Sequence, residues 1–151
     1  MQLDDIINVF KTVALSYKSP RLSFDMGDDY LIEGSQEHQY PKFFLETPFQ
    51  IFWNSKSQQQ YYSVGFAFYV LMNKAEDDTE DQIAGVSDSA LITERILTKI
   101  RTDFHQILSI DSVDSLTFND MTNEGLSTCR TNITVLVLRN VCDNEDEYFD
   151  E

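Results

Sequence analysis

Residues Tyr61 to Met72 read YYSVGFAFYVLM, and their alternation decides the fold. Successive side chains of a strand point to opposite faces, so Tyr62, Val64, Phe66, Phe68, Val70 and Met72 share one side. Gly65 and Ala67 leave the other side thin, a surface that a helix could approach closely. A strand this apolar on one face needs a covering layer, and the segments on either side supply candidates.

Upstream, Leu3, Ile6, Ile7, Phe10, Val13, Ala14 and Tyr17 recur at three- and four-residue spacing, a helical stripe ending near Ser19 and Pro20. Downstream, an acidic tract from Glu76 to Asp81 (EDDTED) precedes Ile92, Ile96, Leu97, Ile100, Phe104, Ile107 and Leu108. These predict a second helix from about Ser87 to Ile110, with Ser87 or Asp88 as its N-cap.

The remaining segments read as strands. Leu22, Phe24 and Met26 alternate with polar residues before Gly27-Asp28-Asp29 and Tyr30-Leu31-Ile32, the pattern of a hairpin or a bulged strand. Tyr40-Pro41 opens KFFLETPFQIFW, in which Pro48 marks a bulge, an edge or an end because proline cannot donate to a ladder. Asn54 to Gln60 is a polar return suited to an antiparallel partner. Leu116 to Asn119 and STCRTNITVLVL form a final hairpin through Asn123-Glu124-Gly125. The expectation is one α+β domain over residues 1–140, an antiparallel sheet flanked by an N-terminal helix and a long central helix. An acidic tail over residues 141–151 follows it.

With 42% hydrophobic and 13% aromatic residues, the chain can build a core despite a formal charge of -15. Its 26 acidic residues against 11 basic ones argue against a surface that grips nucleic acid through phosphates. The opening residues carry acids where a secretion signal would carry positive charge, and no stretch reaches the roughly 20 apolar residues of a membrane helix. Cys129 and Cys142 lack C-x-x-C spacing and are expected as reduced thiols.

No catalytic arrangement emerges. His38 lies in a polar loop and His105 follows Phe104, each outside any recognisable ligand spacing. EDDTED lacks the alternating ligands and the glycine of a calcium loop, while Asp25, Asp28 and Asp29 around Gly27 fit a turn. No enzyme, cofactor or metal site is therefore expected. The aromatic residues lack the interleaved cations of a single-strand binding platform and are mostly core. Phe49, Phe52 and Trp53, at and beyond Pro48, are candidate anchors of a subunit interface.

Two charged segments complete the candidate interface. Glu76, Asp77, Asp78, Glu80 and Asp81 are expected to project as a loop that contacts a neighbour or faces a lumen. In the tail, Tyr148 and Phe149 stand among carboxylates, a pattern able to seat rings in a shallow pocket while the acids meet a basic rim.

The helix DDIINVFKTVALSYK, the segment LSFDMGDDYLIEGSQEHQYPKFFLETP, the strand YYSVGFAFYVLM and the ending NITVLVLRNVC together resemble the small neck and tail-completion proteins of tailed bacteriophages, particularly the tail-terminator-like ring proteins. The resemblance implies an antiparallel sheet flanked by helices and assembled as a homo-oligomeric ring in the head–tail connector. Its implied partners are portal, adaptor or tail proteins, with double-stranded DNA passing through the lumen without specific binding. It also implies a virion location after synthesis in the host cytoplasm, no enzymatic activity and no membrane association. A rival reading from the charge alone is a soluble acidic mimic of DNA that blocks a nucleic-acid-binding protein.

Overall fold

The computed structural model describes residues 2–28, 40–53, 61–73, 79–118 and 126–138. Along the chain these form α1 (Leu3–Ser16), β1 (Ser23–Gly27), β2 (Lys42–Phe52), β3 (Tyr61–Asn73), α2 (Thr79–Asp103), β4 (Leu108–Phe118) and β5 (Leu126–Leu138). Tyr30 to Ile32, His38, Glu76 to Asp78, Cys142 and the tail 141–151 lie outside the described residues.

The strands make one five-stranded sheet in the order β1-β2-β3-β5-β4. Every neighbouring pair is antiparallel except β1 and β2, which run parallel from Ser23↔Lys42 to Gly27↔Glu46. The architecture is thus α+β, with a mixed sheet where the sequence pointed to an antiparallel one. The alternation of Leu22, Phe24 and Met26 identifies a strand, but alternation has no direction. The pairing shows that β1 and β2 point the same way.

The apolar face of β3 is the core. Val64, Phe66, Phe68, Val70 and Met72 are buried beside Phe43 and Leu45 of β2 and Ile133, Val135 and Val137 of β5. Phe43 and Phe68 stack with centroids 4.7 Å apart, and the Phe10 ring of α1 lies 5.0 Å from Phe66. α1 presents Ile6, Val9, Phe10, Val13 and Ala14 to this layer. Its start is fixed by the Asp5 carboxylate, which accepts a hydrogen bond from the Gln2 amide at 2.8 Å, and its end by the extended backbone of Tyr17.

α2 begins eight residues before the expected Ser87 cap. Thr79, Glu80 and Asp81 form its first turn, so Glu80 and Asp81 belong to a helix and not to a projecting loop. Acids are favourable there because the exposed amides at a helix start carry partial positive charge. The early turns escape a search for apolar spacing because their buried positions are Gln82, Gly85 and Ser89. The Ser127 hydroxyl donates to the Gln82 carbonyl at 2.8 Å, tying the start of β5 to these turns.

The far end of α2 also differs from expectation. Leu108 and Ile110 fit both a helical stripe and a strand, and pairing with Val137 and Val135 puts them in β4. His105 lies in the intervening turn, exposed, with Nδ1 3.0 Å from the Thr102 carbonyl. Among the described residues no helix is long and apolar enough to cross a membrane.

Candidate functional site on the helix-free face of the sheet

Both helices pack against the face carrying Phe43, Phe68 and Val135, and among the described residues no helix covers the other face. The register builds that second face in rows. Phe44, Tyr69, Arg130 and Leu116 align across β2, β3, β5 and β4, followed by Glu46, Ala67, Asn132 and Asp114, then Gln50, Gly65, Thr134 and Ser112. Small residues in the β3 positions of the last two rows lower the floor. The result is a concavity of about 330 Å³ bordered by Glu46, Gln50, Phe52, Asp114, Arg130 and Asn132.

Among the described residues no helix approaches over Gly65 and Ala67, and Phe52 fills part of that space. A Cβ on Gly65 would meet the Phe52 ring at 3.4 Å, so the glycine seats an aromatic from the neighbouring strand. Pro48 makes this possible. The β2–β3 register shifts between Glu46 and Gln50, a bulge at the residue that cannot donate to the ladder.

Arg130 organises the centre. It donates from Nε to the Tyr69 hydroxyl at 2.9 Å, from Nη1 to Asn132 Oδ1 at 2.8 Å and from Nη2 to Glu46 Oε2 at 2.8 Å. Asn132 Nδ2 then donates to Asp114 Oδ1 at 3.1 Å. Partial burial disfavours the guanidinium charge, but the bonds to Tyr69 and Glu46 outweigh it and raise its pKa above the ordinary arginine value. A network whose donors are committed in this way fixes side-chain positions across β2, β3, β5 and β4. Deeper along the same face, Lys42 is 4% exposed, with Nζ 3.8 Å from Asp25 and 5.5 Å from the Tyr40 ring centroid.

The candidate interface residues do not gather in one patch. Phe49 is half-buried against Phe66 at 4.9 Å, on the helix-covered side. Trp53, 67% exposed, lies 5.1 Å from Tyr62, which also packs against the main core. Burial, then the Asp5 carboxylate, push the Tyr62 phenol above its ordinary pKa. Of the described candidates, Phe52 alone faces the concavity. Glu80 and Asp81 open α2, while Glu76, Asp77, Asp78, Tyr148 and Phe149 lie outside the described residues.

Sequence reading missed Arg130, Glu46 and Leu116. The signal was present in STCRTNITVLVL, whose alternation puts Thr128, Arg130, Asn132 and Thr134 on the face opposite Cys129, Ile133 and Val135. Leu116, 60% exposed, stands apart from the buried leucines on that polar face. Among the described residues, no group of three or more His, Cys, Asp or Glu side chains could hold a metal ion. No protein-family model matches the chain, and no curated protein matches it.

Proposed function

We propose that this chain is a structural ring component of the head–tail connector of a tailed bacteriophage, using the helix-free face of its sheet as an assembly surface. The observation that carries this reading is the pairing of exposed Leu116 and Phe52 with a held network around Arg130 on one concave face. Exposed apolar anchors beside fixed polar groups suit a protein interface, where apolar contact supplies attraction and polar geometry supplies register. The likeness of the chain's segments to tail-completion proteins supports the virion assignment.

In such an assembly each subunit would present this face to a different surface of the next, and a rotation that completes a circle closes the ring. A formal charge of -15 suits a conduit, because carboxylates toward the lumen repel phosphates and let a duplex slide. The parts joined would be portal or adaptor on one side and tail on the other. Electron microscopy of the purified chain, alone and mixed with a portal, tests the reading. Rings of one size stacked coaxially on the portal are expected, and a chain that stays dispersed under both conditions would overturn it.

A further inference from the structure

We propose that the groove between the end of α1 and the second half of α2 docks the acidic segment 143–151 of a neighbouring copy of this chain. The proposal rests on the ring reading for the source of the segment, and on this chain's own charge distribution for the site.

In a strongly acidic chain, the cations are concentrated. Lys11, Lys18 and Arg21 occur in a run, 11–21, that has no acidic residue, and Arg95, Lys99 and Arg101 follow one another along the last turns of α2. Three of these six surround one groove. Lys18, Arg95 and Lys99 border a depression of about 200 Å³ whose walls include Val13, Tyr17 and Ile96. On the other side of Arg95 and Lys99, a second depression of about 390 Å³ takes in Leu91, which is 42% exposed.

The two cations therefore form a ridge between the apolar walls of the first groove and the second depression, where Leu91 is flanked by Glu94 and Asp103. Arg95 is steadied from below, donating from Nη1 to the Tyr17 hydroxyl at 2.9 Å. Lys99 is paired with Asp103 at 2.8 Å, an exposed contact one turn along that an incoming carboxylate can exchange.

The matching ligand is an acidic peptide with aromatic side chains. Residues 143–151 read DNEDEYFDE, with Tyr148 and Phe149 adjacent and six carboxylates around them. The acids repel most of this chain's surface and are attracted here, which selects the groove over other sites. The two rings have two depressions to occupy. A neighbour is the better source than the same copy. β5 ends at Leu138 opposite Tyr61, the end of the sheet where Asp5 of α1 acts on Tyr62. To reach the far end of α1, a copy's own tail would pass Asp4 and Asp5, both of like charge.

The test mixes full-length unlabelled and ¹⁵N-labelled protein and couples adjacent amines and carboxylates with a carbodiimide. Mass spectrometry then reads the linked peptides. Mixed-isotope links joining Lys18 or Lys99 to residues 143–151 are expected; same-isotope links alone, or none, overturn the proposal. A labelled peptide of residues 141–151 titrated into the full-length chain should bind saturably and weaken as salt rises. The double variant Arg95→Glu, Lys99→Glu should reduce that affinity about tenfold or more, while Arg101→Glu leaves it unchanged. Equal binding by wild type and the double variant overturns the site. The ring reading is judged separately, by the mass of the wild-type assembly: rings that persist without these links remove the groove and leave the ring.

Discussion

On the helix-covered face Phe43, Phe68 and Val70 lie side by side in the core, whereas on the other face β2, β3 and β5 bring Glu46, Tyr69 and Arg130 together. The first arrangement draws on burial of apolar area, which has no preferred direction and tolerates repacking. The second depends on donor and acceptor positions, which lose value quickly when geometry shifts. The helix-free face has a small apolar cluster of its own, Phe44, Tyr69, Leu71 and Leu126, and the Arg130 network borders it, so substitutions can separate apolar burial from polar geometry.

The largest effect belongs to the covered face. Phe68→Ala removes a fully buried ring between Phe43 and Phe10 and should cost about 3–5 kcal/mol in denaturant unfolding. A cost under about 1 kcal/mol would mean that this layer is not the core on which the comparison depends.

Next comes the half-buried network. Arg130→Met leaves the Glu46 carboxylate without its guanidinium partner, and both side chains are less than one-third exposed, at 28% and 19%. A loss of about 1.5–3 kcal/mol is expected, as for hydrogen bonds to charged groups. Adding Glu46→Met should restore part of it, because an unmatched carboxylate is then no longer held from water. A double variant as unstable as the sum of both single variants would show that the pair is not coupled.

Gly65→Ala probes the contact between the faces' two styles of packing. Its new methyl meets Phe52 at an ordinary contact distance while reducing the freedom of the unfolded chain. Stability should stay within about 1 kcal/mol of the original, whereas Gly65→Val should displace the ring and change the near-ultraviolet circular dichroism of the aromatics. An unaltered spectrum for the valine variant would contradict the seating of Phe52 on this glycine.

The smallest effect is a pH dependence at the edge of the covered face. The folded-state pKa of Tyr62 is raised, so its contribution is fully present below the ordinary phenol value of 10.0 and is lost as pH rises through the folded value. Tyr62→Phe should therefore lose less stability than the wild type on going from neutral to strongly alkaline solution. Parallel loss in both proteins would remove Tyr62 as the source.

These contrasts also explain what could be read from the residues alone. The β3 alternation, the α1 stripe and the Pro48 bulge were legible because each follows from local periodicity or a missing donor. The start of α2 was not, because Gln82, Gly85 and Ser89 are buried without being apolar, and their place is set by β5 beneath them. Parallel pairing of β1 and the Arg130–Glu46 pair were equally hidden, since both join residues far apart in the chain and depend on register between strands. The candidate aromatics divide by simple alternation: Phe49 takes the helix-covered face and Phe52 the other, and the shift from Glu46↔Ala67 to Gln50↔Gly65 leaves that alternation of faces unchanged.

The central claim is that the helix-free face joins subunits, and sedimentation velocity on wild type and Leu116→Asp over a range of concentrations tests it most directly. Leu116 is 60% exposed, so the substitution should leave the unfolding free energy within about 0.5 kcal/mol. A single large species is expected for wild type and a folded monomer for the variant. Assembly by Leu116→Asp indistinguishable from wild type, or a wild-type chain that remains monomeric throughout, would contradict it.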